Sequence, residues 1–379
     1  MLSVFASLWG KFASLIMSIS MMFGTTFGLF VPATTTAPED YFDSNIKNVI
    51  YLIGDGMGFN HLEKAKNERN IELTMDTFDY QGESMTRSFS NAVTDSAAGG
   101  TALATGVRTL NGAIGVYPMD VTGTFTHPKS LTELCLESGK MTGVITTDET
   151  SGATPSAFSA HSSSRDNTED ITEDQLASDI DLIWGAQNGV ATKEDAEANG
   201  FTYVTTTAEM LALKEGSRSF AQFTNDLWTL APSDINTPNL EMMTKKAIDI
   251  LDDTEEGFFL MVEGAHIDKH SHSNEDAKMT EALQEFDETI EYVLEYAKAD
   301  GETLVIITAD HETGAIVANS DGTYSFTSGS HSAANVPVLV YGSEVLIQNG
   351  EVLNNYEIPI RIAYILGFTE EDFPFEVAA

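Results

Sequence analysis

The chain has 379 residues, 42% of them hydrophobic, which is enough to bury a large core and excludes an acidic disordered chain. Its 19 basic and 58 acidic residues leave a formal charge of −39, and a surface of that sign repels nucleic acid and anionic membranes, excluding both as partners. Cys135 is alone, so there is no intrachain disulfide and no Cys-based zinc site, and any metal must be held by histidines and carboxylates.

The first forty residues differ in character from the rest. "MLSVFASLWGK" carries one positive charge, 12–31 carry none, and "VPATTTAPED" supplies small residues and a polar exit. This pattern predicts an export leader over 1–40, cleaved near Ala33 or Ala37. The competing reading is a retained anchor, since twenty uncharged residues can just span a bilayer, but the Ser, Thr and Gly content fits that poorly. One large domain over 41–379 follows.

Five segments read as buried parallel strands, apolar and β-branched without clean alternation: "NVIYLIG" (48–54), "MTGVITT" (141–147), "GFFLMVEG" (257–264), "TLVIITA" (303–309) and "VPVLVYG" (336–342). Helical patterns lie between them, including "SLTELCLESGK", with Cys135 as a buried apolar residue, "NLEMMTKKAIDILDD" and "EDAKMTEALQEFDETIEYVLEYAK". The alternation predicts an α/β fold with a mostly parallel central sheet and helices on both faces. Residues 166–240 show no clear pattern and are expected to hold an excursion from the sheet.

Polar residues gather where those strands stop. Asp55 follows the first in "GDGMG", a turn whose glycines lack the spacing of a nucleotide-binding loop. Glu263 ends the strand at 257–264, and Asp310-His311 follow the one at 303–309. Ligands of open α/β sheets sit beyond the carboxyl ends of the strands, so three such ends point to one shared site. "TDSAAGGTALATG" reads as a helix carrying Ser96 in its first turn, where free N–H groups and the dipole favour an anion and small side chains leave room for a phosphate. The bland alternative is an Asp cap on a close-packed Ala/Gly helix. There is no G-x-S-x-G elbow, so a nucleophilic Ser96 needs an activator other than histidine, and a metal is the obvious one.

Of eight histidines, three lie in "EGAHIDKHSH". In a helix, Asp268 and His272 share one face and His266 and His270 another, so spacing alone does not choose between the pairs. His311 and His331, the latter in the loop "GSHSAANVP", complete an Asp/His set of the kind hydrolytic zinc sites use.

Taken together and in this order, "GDGMG", "TDSAAGGTALATG", "GATPSAFSAHSSSR", "FFLMVEGAHIDKHSH", "TADHETG" and "GSHSAANVPV" resemble the bacterial alkaline phosphatase family. The similarity runs from about Asn48 to the C-terminus, where "YEIPIRIAYILGF" resembles the closing helix. It implies an alkaline-phosphatase-like catalytic domain over 41–379 that hydrolyses phosphate monoesters, with two Zn2+ and one Mg2+. Ser96 matches the serine that becomes phosphorylated, Asp95 the neighbour that orients an arginine, and Arg165 the arginine that grips phosphate. Asp268, His272 and His331 match the ligands of the first zinc; Asp55, Asp310 and His311 match those of the second, with Ser96 adjoining. Asp55, Thr154 and Glu263 match the magnesium ligands. The resemblance thereby selects Asp268/His272 and leaves His266 and His270 structural. Three divalent cations and Arg165 then outweigh the four carboxylates, so the site is locally positive in a strongly negative molecule.

Two departures stand out. Gly152 occupies a position where relatives usually carry Asp or His beside the magnesium, which puts that site in doubt. The short interval from His311 to His331 implies a small crown region and an open site. Lys269 follows Asp268 as in some bacterial members and is placed to contact phosphate through water. A homodimer is implied by the resemblance alone. The alternatives are a phosphodiesterase or sulfatase built on the same metal core, against which the Asp-Ser-Ala sequence and Arg165 argue, and an inactive relative, against which the full ligand set argues.

Overall fold

The computed structural model describes residues 41–118, 127–223, 227 and 237–373; the expected leader lies outside the described residues. Ten strands form one sheet: β1 Asn48–Gly54, β2 Tyr80–Met85, β3 Met141–Glu149, β4 Leu182–Ala186, β5 Thr202–Val204, β6 Ser219–Phe223, β7 Phe258–Gly264, β8 Thr303–Thr308, β9 Val336–Tyr341 and β10 Val352–Asn354. Their order across the sheet is β10-β2-β9-β8-β1-β7-β3-β4-β6-β5.

The central strands are apolar along their whole length because both faces are covered. Val49, Tyr51 and Ile53 of β1 pack with Leu103, Leu134 and Ile358 on one side. Ile50 and Leu52 pack with Met243, Leu283 and Phe286 on the other. Successive side chains of a strand point to opposite faces, so two separate cores flank one sheet. The helices at Leu240–Leu251 and Asp276–Asp300 cover one face; those at Ser96–Thr105, Leu131–Glu137 and Glu357–Ile365 cover the other. Cys135 is buried, as its helix predicts. Among the described residues no helix is long and apolar enough to cross a membrane.

Two expectations need correction. The described part of 166–240 is not an excursion from the sheet, because it contributes β4, β6 and β5, which extend it outward from β3. The segment at 336–342 does form a strand, but β9 runs antiparallel to both β8 and β2. The cause lies in the preceding connection. His331–Ser332 pairs antiparallel with Glu312–Thr313, so the chain returns to the end of the sheet it has just left and must re-enter in the opposite direction. A second ribbon, Val317–Ala318 with Tyr324–Ser325, occupies the remainder of this short excursion.

Candidate active site

The neighbouring strands β8, β1, β7 and β3 bring their polar ends together. Asp55 follows β1, and its N–H donates to Gly264 O at the end of β7 (3.2 Å). Gly56 N–H donates to Asp310 Oδ1, just beyond β8, at 3.2 Å. Gly56 has φ +73°, and a Cβ there would stand 2.9 Å from the Asp268 Cα, so glycine is required for this turn to pass the His266–His272 helix. Glu263 is in register with Ile53 on one side and Thr146 on the other.

Asp55, Asp310 and His311 form a buried cluster whose donor atoms all lie within 4.8 Å of one another. His311 Nε2 lies 3.5 Å from Asp55 Oδ1, 3.2 Å from Asp310 Oδ2 and 3.1 Å from Ser96 Oγ. This is not a serine–histidine–acid relay, in which serine and carboxylate use different ring nitrogens. Here they share one, and His311 Nδ1 instead faces Thr313 Oγ1 at 3.2 Å. Asp55 Oδ1 and Asp310 Oδ2 are buried without a hydrogen bond, an arrangement that a bound cation would satisfy. Burial, followed by the charges of Asp310, Asp268 and Glu263, holds the Asp55 carboxyl well above the usual carboxylate range. Burial also depresses the His311 imidazole, against the pull of Asp310.

Asp268, His272 and His331 form the second cluster within the same limit. His272 Nε2 lies 3.3 Å from Asp268 Oδ2, His331 Nε2 lies 3.7 Å from Asp268 Oδ1, and the two Nε2 atoms are 3.1 Å apart. Each Nδ1 faces a backbone carbonyl, that of Gly329 at 2.8 Å for His272 and that of Thr94 at 3.0 Å for His331. Carbonyls only accept, so both Nδ1 atoms donate and the Nε2 atoms, turned toward Asp268, are the ones left to ligate a metal in place of a proton, the usual second-sphere arrangement of metal-binding histidines. The Asp268 hydrogen bond raises the His272 imidazole to about 9, the pull on a proton that a metal ion would otherwise take. Burial would raise the Asp268 carboxyl, but the hydrogen bond from His272 and the nearby His311 outweigh it and hold it well below the usual range.

The remaining predicted ligands form a third corner. Thr154, in the short helix Ala153–Ala157, has a buried hydroxyl without a hydrogen bond. Glu263 accepts a hydrogen bond from Thr146 Oγ1, and burial, followed by the charge of Asp148, raises it to about 8. Together with Asp55 these groups offer only oxygen donors.

Ser96 opens the Ser96–Thr105 helix, which Asp95 caps through Oδ1 to Ala98 N–H at 3.0 Å. The other Asp95 oxygen accepts from Gly112 N–H at 2.8 Å and faces Arg165 Nη1 at 3.4 Å. The small residues of the helix serve a different purpose from the one expected. A Cβ at Gly99 would stand 2.8 Å from Asp310 O, and one at Gly100 would stand 3.3 Å from the Thr154 Cα. The glycines therefore admit neighbouring protein rather than phosphate, pressing the Ser96 helix against two ligand-bearing segments.

The structure groups six of the predicted residues into the two histidine clusters, sets Ser96 against His311 and Asp95 against Arg165, and places Glu263 at the end of the strand beside β1. His266 and His270 face Thr147 (3.1 Å) and Glu275 (2.9 Å), in keeping with a structural role. Three supporting side chains carry no sequence signal: Thr146, Thr313, which donates to Asp268 Oδ1, and Asp148, which accepts from Lys269. Only sheet register and turn geometry reveal them.

Residues 46–184 and 178–345 match the sequence model of alkaline phosphatases. The chain belongs to the alkaline phosphatase family. It is 34% identical over 342 residues to alkaline phosphatase 4 of Bacillus subtilis, covering 83% of this chain and 73% of that one. It is 29% identical over 401 residues to the Escherichia coli alkaline phosphatase, covering 82% and 84%. The solved alkaline phosphatase of the Antarctic bacterium TAB5 superimposes with a TM-score of 0.72 at 29% identity, covering 86% of this chain and 98% of its own. A variant of that enzyme is described with magnesium bound in its M3 site. As an alkaline phosphatase family member, the chain is a metal-binding hydrolase of phosphate monoesters.

Proposed function

We propose that the chain is an exported phosphomonoesterase that works through a phosphoserine at Ser96. Zinc is assigned to the Asp268–His272–His331 and Asp55–Asp310–His311 clusters, whose mixed nitrogen and oxygen donors suit it. Magnesium is assigned to Asp55, Thr154 and Glu263, an all-oxygen set. The observation that carries this reading is the meeting of Ser96 Oγ, Asp55 Oδ1 and Asp310 Oδ2 at one ring nitrogen, His311 Nε2. The orphaned oxygens of Asp55, Asp310 and Thr154 support it.

When bound, the metals supply Lewis acidity at the serine oxygen and at the departing ester oxygen. Ser96, at the start of its helix, is held where first-turn N–H groups and the dipole favour developing negative charge. Arg165, tethered by Asp95, presents a planar fork to two phosphoryl oxygens. Ser96 gives up its hydroxyl proton as Oγ bonds to phosphorus in line and the ester P–O bond breaks, and the alcohol leaves with that electron pair and takes up a proton. Water then cleaves the Ser96–phosphate bond, releasing inorganic phosphate and restoring the hydroxyl.

Hydrolysis of an aryl phosphate monoester, with and without zinc and magnesium, tests the reading. Ser96→Ala is expected to lose acid-stable covalent phosphate and to lower turnover at least about 10³-fold. Phosphate release that survives metal stripping overturns it, as does faster cleavage of a bis-aryl phosphate or an aryl sulfate. The charge pattern of 1–40 supports export, and N-terminal sequencing of secreted protein reads the cleavage point. Dimerisation follows the family resemblance, and light scattering measures it.

A further inference from the structure

Gly152 precedes the Ala153–Ala157 helix with φ −54° and ψ 155°, a conformation open to any residue, so its missing side chain has a cause outside the backbone. A Cβ there would stand 2.6 Å from Asp148 Oδ2, 2.9 Å from Asp148 Cγ and 3.0 Å from Glu149 O. The carboxylate of Asp148, near the end of β3, fills the space a residue-152 side chain would take. Asp148 Oδ1 accepts from Lys269 Nζ and from Glu149 N–H, the latter at 2.8 Å, which leaves Oδ2 outside both bonds. Lys269 lies next to Asp268, and its ammonium interacts electrostatically with Glu263 and Asp55 as well as with Asp148. Asp148 N–H donates to Thr146 Oγ1 at 2.8 Å, the same hydroxyl that donates to Glu263. The Asp148 carboxylate thus holds Lys269 and fills the start of the Thr154 helix, while its backbone is tied through Thr146 to Glu263.

We propose that Asp148 is a positioning residue of the Thr154–Glu263 corner: standing where residue 152 would project, it holds Lys269 against the site and supplies the outer carboxylate for magnesium there. The inference rests on the metal assignment proposed above. Magnesium sheds water reluctantly and keeps several waters in protein sites, and those waters need acceptors. Asp55, Thr154 and Glu263 would provide three protein ligands, and Asp148 Oδ2, at the start of the Thr154 helix, is the charged acceptor offered to their waters. Gly152 and Asp148 are then one device in two parts. Any side chain at 152 expels the carboxylate, and removing the carboxylate leaves room for one.

The test is calorimetric titration of Mg2+ into zinc-loaded protein, with zinc content and circular dichroism recorded for every variant. Asp148→Ala is expected to raise the magnesium Kd by about 10–100-fold, the range for lost outer-sphere partners, with zinc content unchanged. Gly152→Ala is expected to do the same although Asp148 is still present, because its Cβ displaces the carboxylate. Gly152→Asp in the Asp148→Ala background is expected to recover most of the affinity, once the Glu149 carbonyl yields a few tenths of an ångström. Gly152→Asp alone, with two carboxylates competing for one space, is expected to bind more weakly than that double variant. Should Asp148→Ala fail to fold, Asp148→Asn gives the same readout at equal size. Unchanged magnesium affinity in the Asp148 variant overturns this inference alone, and a silent Gly152→Ala does the same. A wild-type protein that takes up zinc but no magnesium overturns the magnesium assignment and this inference with it.

Discussion

The Asp95 carboxylate joins the helix that carries Ser96 to Arg165: Oδ1 caps the helix at Ala98 N–H (3.0 Å) and Oδ2 faces Arg165 Nη1 at 3.4 Å. Asparagine caps as well as aspartate but carries no charge for the arginine. Asp95→Asn should therefore raise KM and, because its amide nitrogen cannot accept from Gly112 N–H, lower the Tm somewhat, while Asp95→Ala should raise KM and lose about 1 kcal/mol more with the cap. Steady-state kinetics and thermal melts of the two variants separate the roles. Equal melting points for both variants would show that the cap contributes nothing.

Gly99 should tolerate even a methyl group badly. Alanine is the better helix former by about 1 kcal/mol, but its Cβ would stand 2.8 Å from Asp310 O and 3.1 Å from Asp310 Cβ. Overpacking against backbone costs about 1–3 kcal/mol and would push the Ser96 helix away from Asp310. Gly99→Ala should lower both Tm and kcat. Gly100→Ala, with its nearest atom at 3.2 Å on the Ala157 side chain, should do less. The reverse order of severity would count against this packing argument.

The two histidine clusters differ in access. Asp55, Asp310 and His311 are all buried, whereas His272 is exposed and His331 partly so. A chelator should remove metal in two phases, first from the Asp268–His272–His331 cluster and later from the inner one. Residual zinc, measured against time and compared between wild type and His331→Ala, checks this. In the variant the fast phase should shrink, and an unchanged fast phase would refute the assignment.

Glu285 lies inside the Asp276–Asp300 helix, remote in sequence from the predicted ligands, and accepts from Leu240 N–H at 3.2 Å. Burial, partly offset by that hydrogen bond, raises its carboxyl from 4.5 to about 8. The folded state therefore holds the proton more tightly than the unfolded one. The resulting stability is complete below pH 4.5 and is lost as pH rises to about 8. Glu285→Gln, which does not titrate, should match wild type at pH 4.5 and melt higher at pH 9, by an amount on the order of a few kcal/mol. A wild-type advantage at pH 9 would reverse the argument.

Much of the fold and the two histidine–carboxylate clusters can be read in the sequence. β1, β3, β7 and β8 are legible because burial on both faces demands unbroken apolar runs, and their ends mark the site. β4 and β6 are less so, because the sheet also buries polar groups whose partners are distant in sequence. Trp184 Nε1 donates to Ser219 Oγ at 2.9 Å, and Gln222 pairs with Thr150 across the sheet. The reversal of β9 depends on how the 312–335 excursion folds back, which no local pattern encodes. Among the site residues, Ser96 and the histidines stand out by type and placement. Thr146, Thr313 and Asp148 are ordinary residues until register and turns bring them beside Glu263, Asp268 and Lys269.

The sheet begins and ends with strands of three residues each, Val352–Asn354 at one edge and Thr202–Val204 at the other. Three residues present too short a row of backbone groups for a foreign strand to zip onto, and short edges are one of the ways in which natural sheets avoid aggregation. Neither edge therefore offers a second copy of this chain much backbone hydrogen bonding, and the site, at the ends of β8, β1, β7 and β3, lies three strands in from each edge.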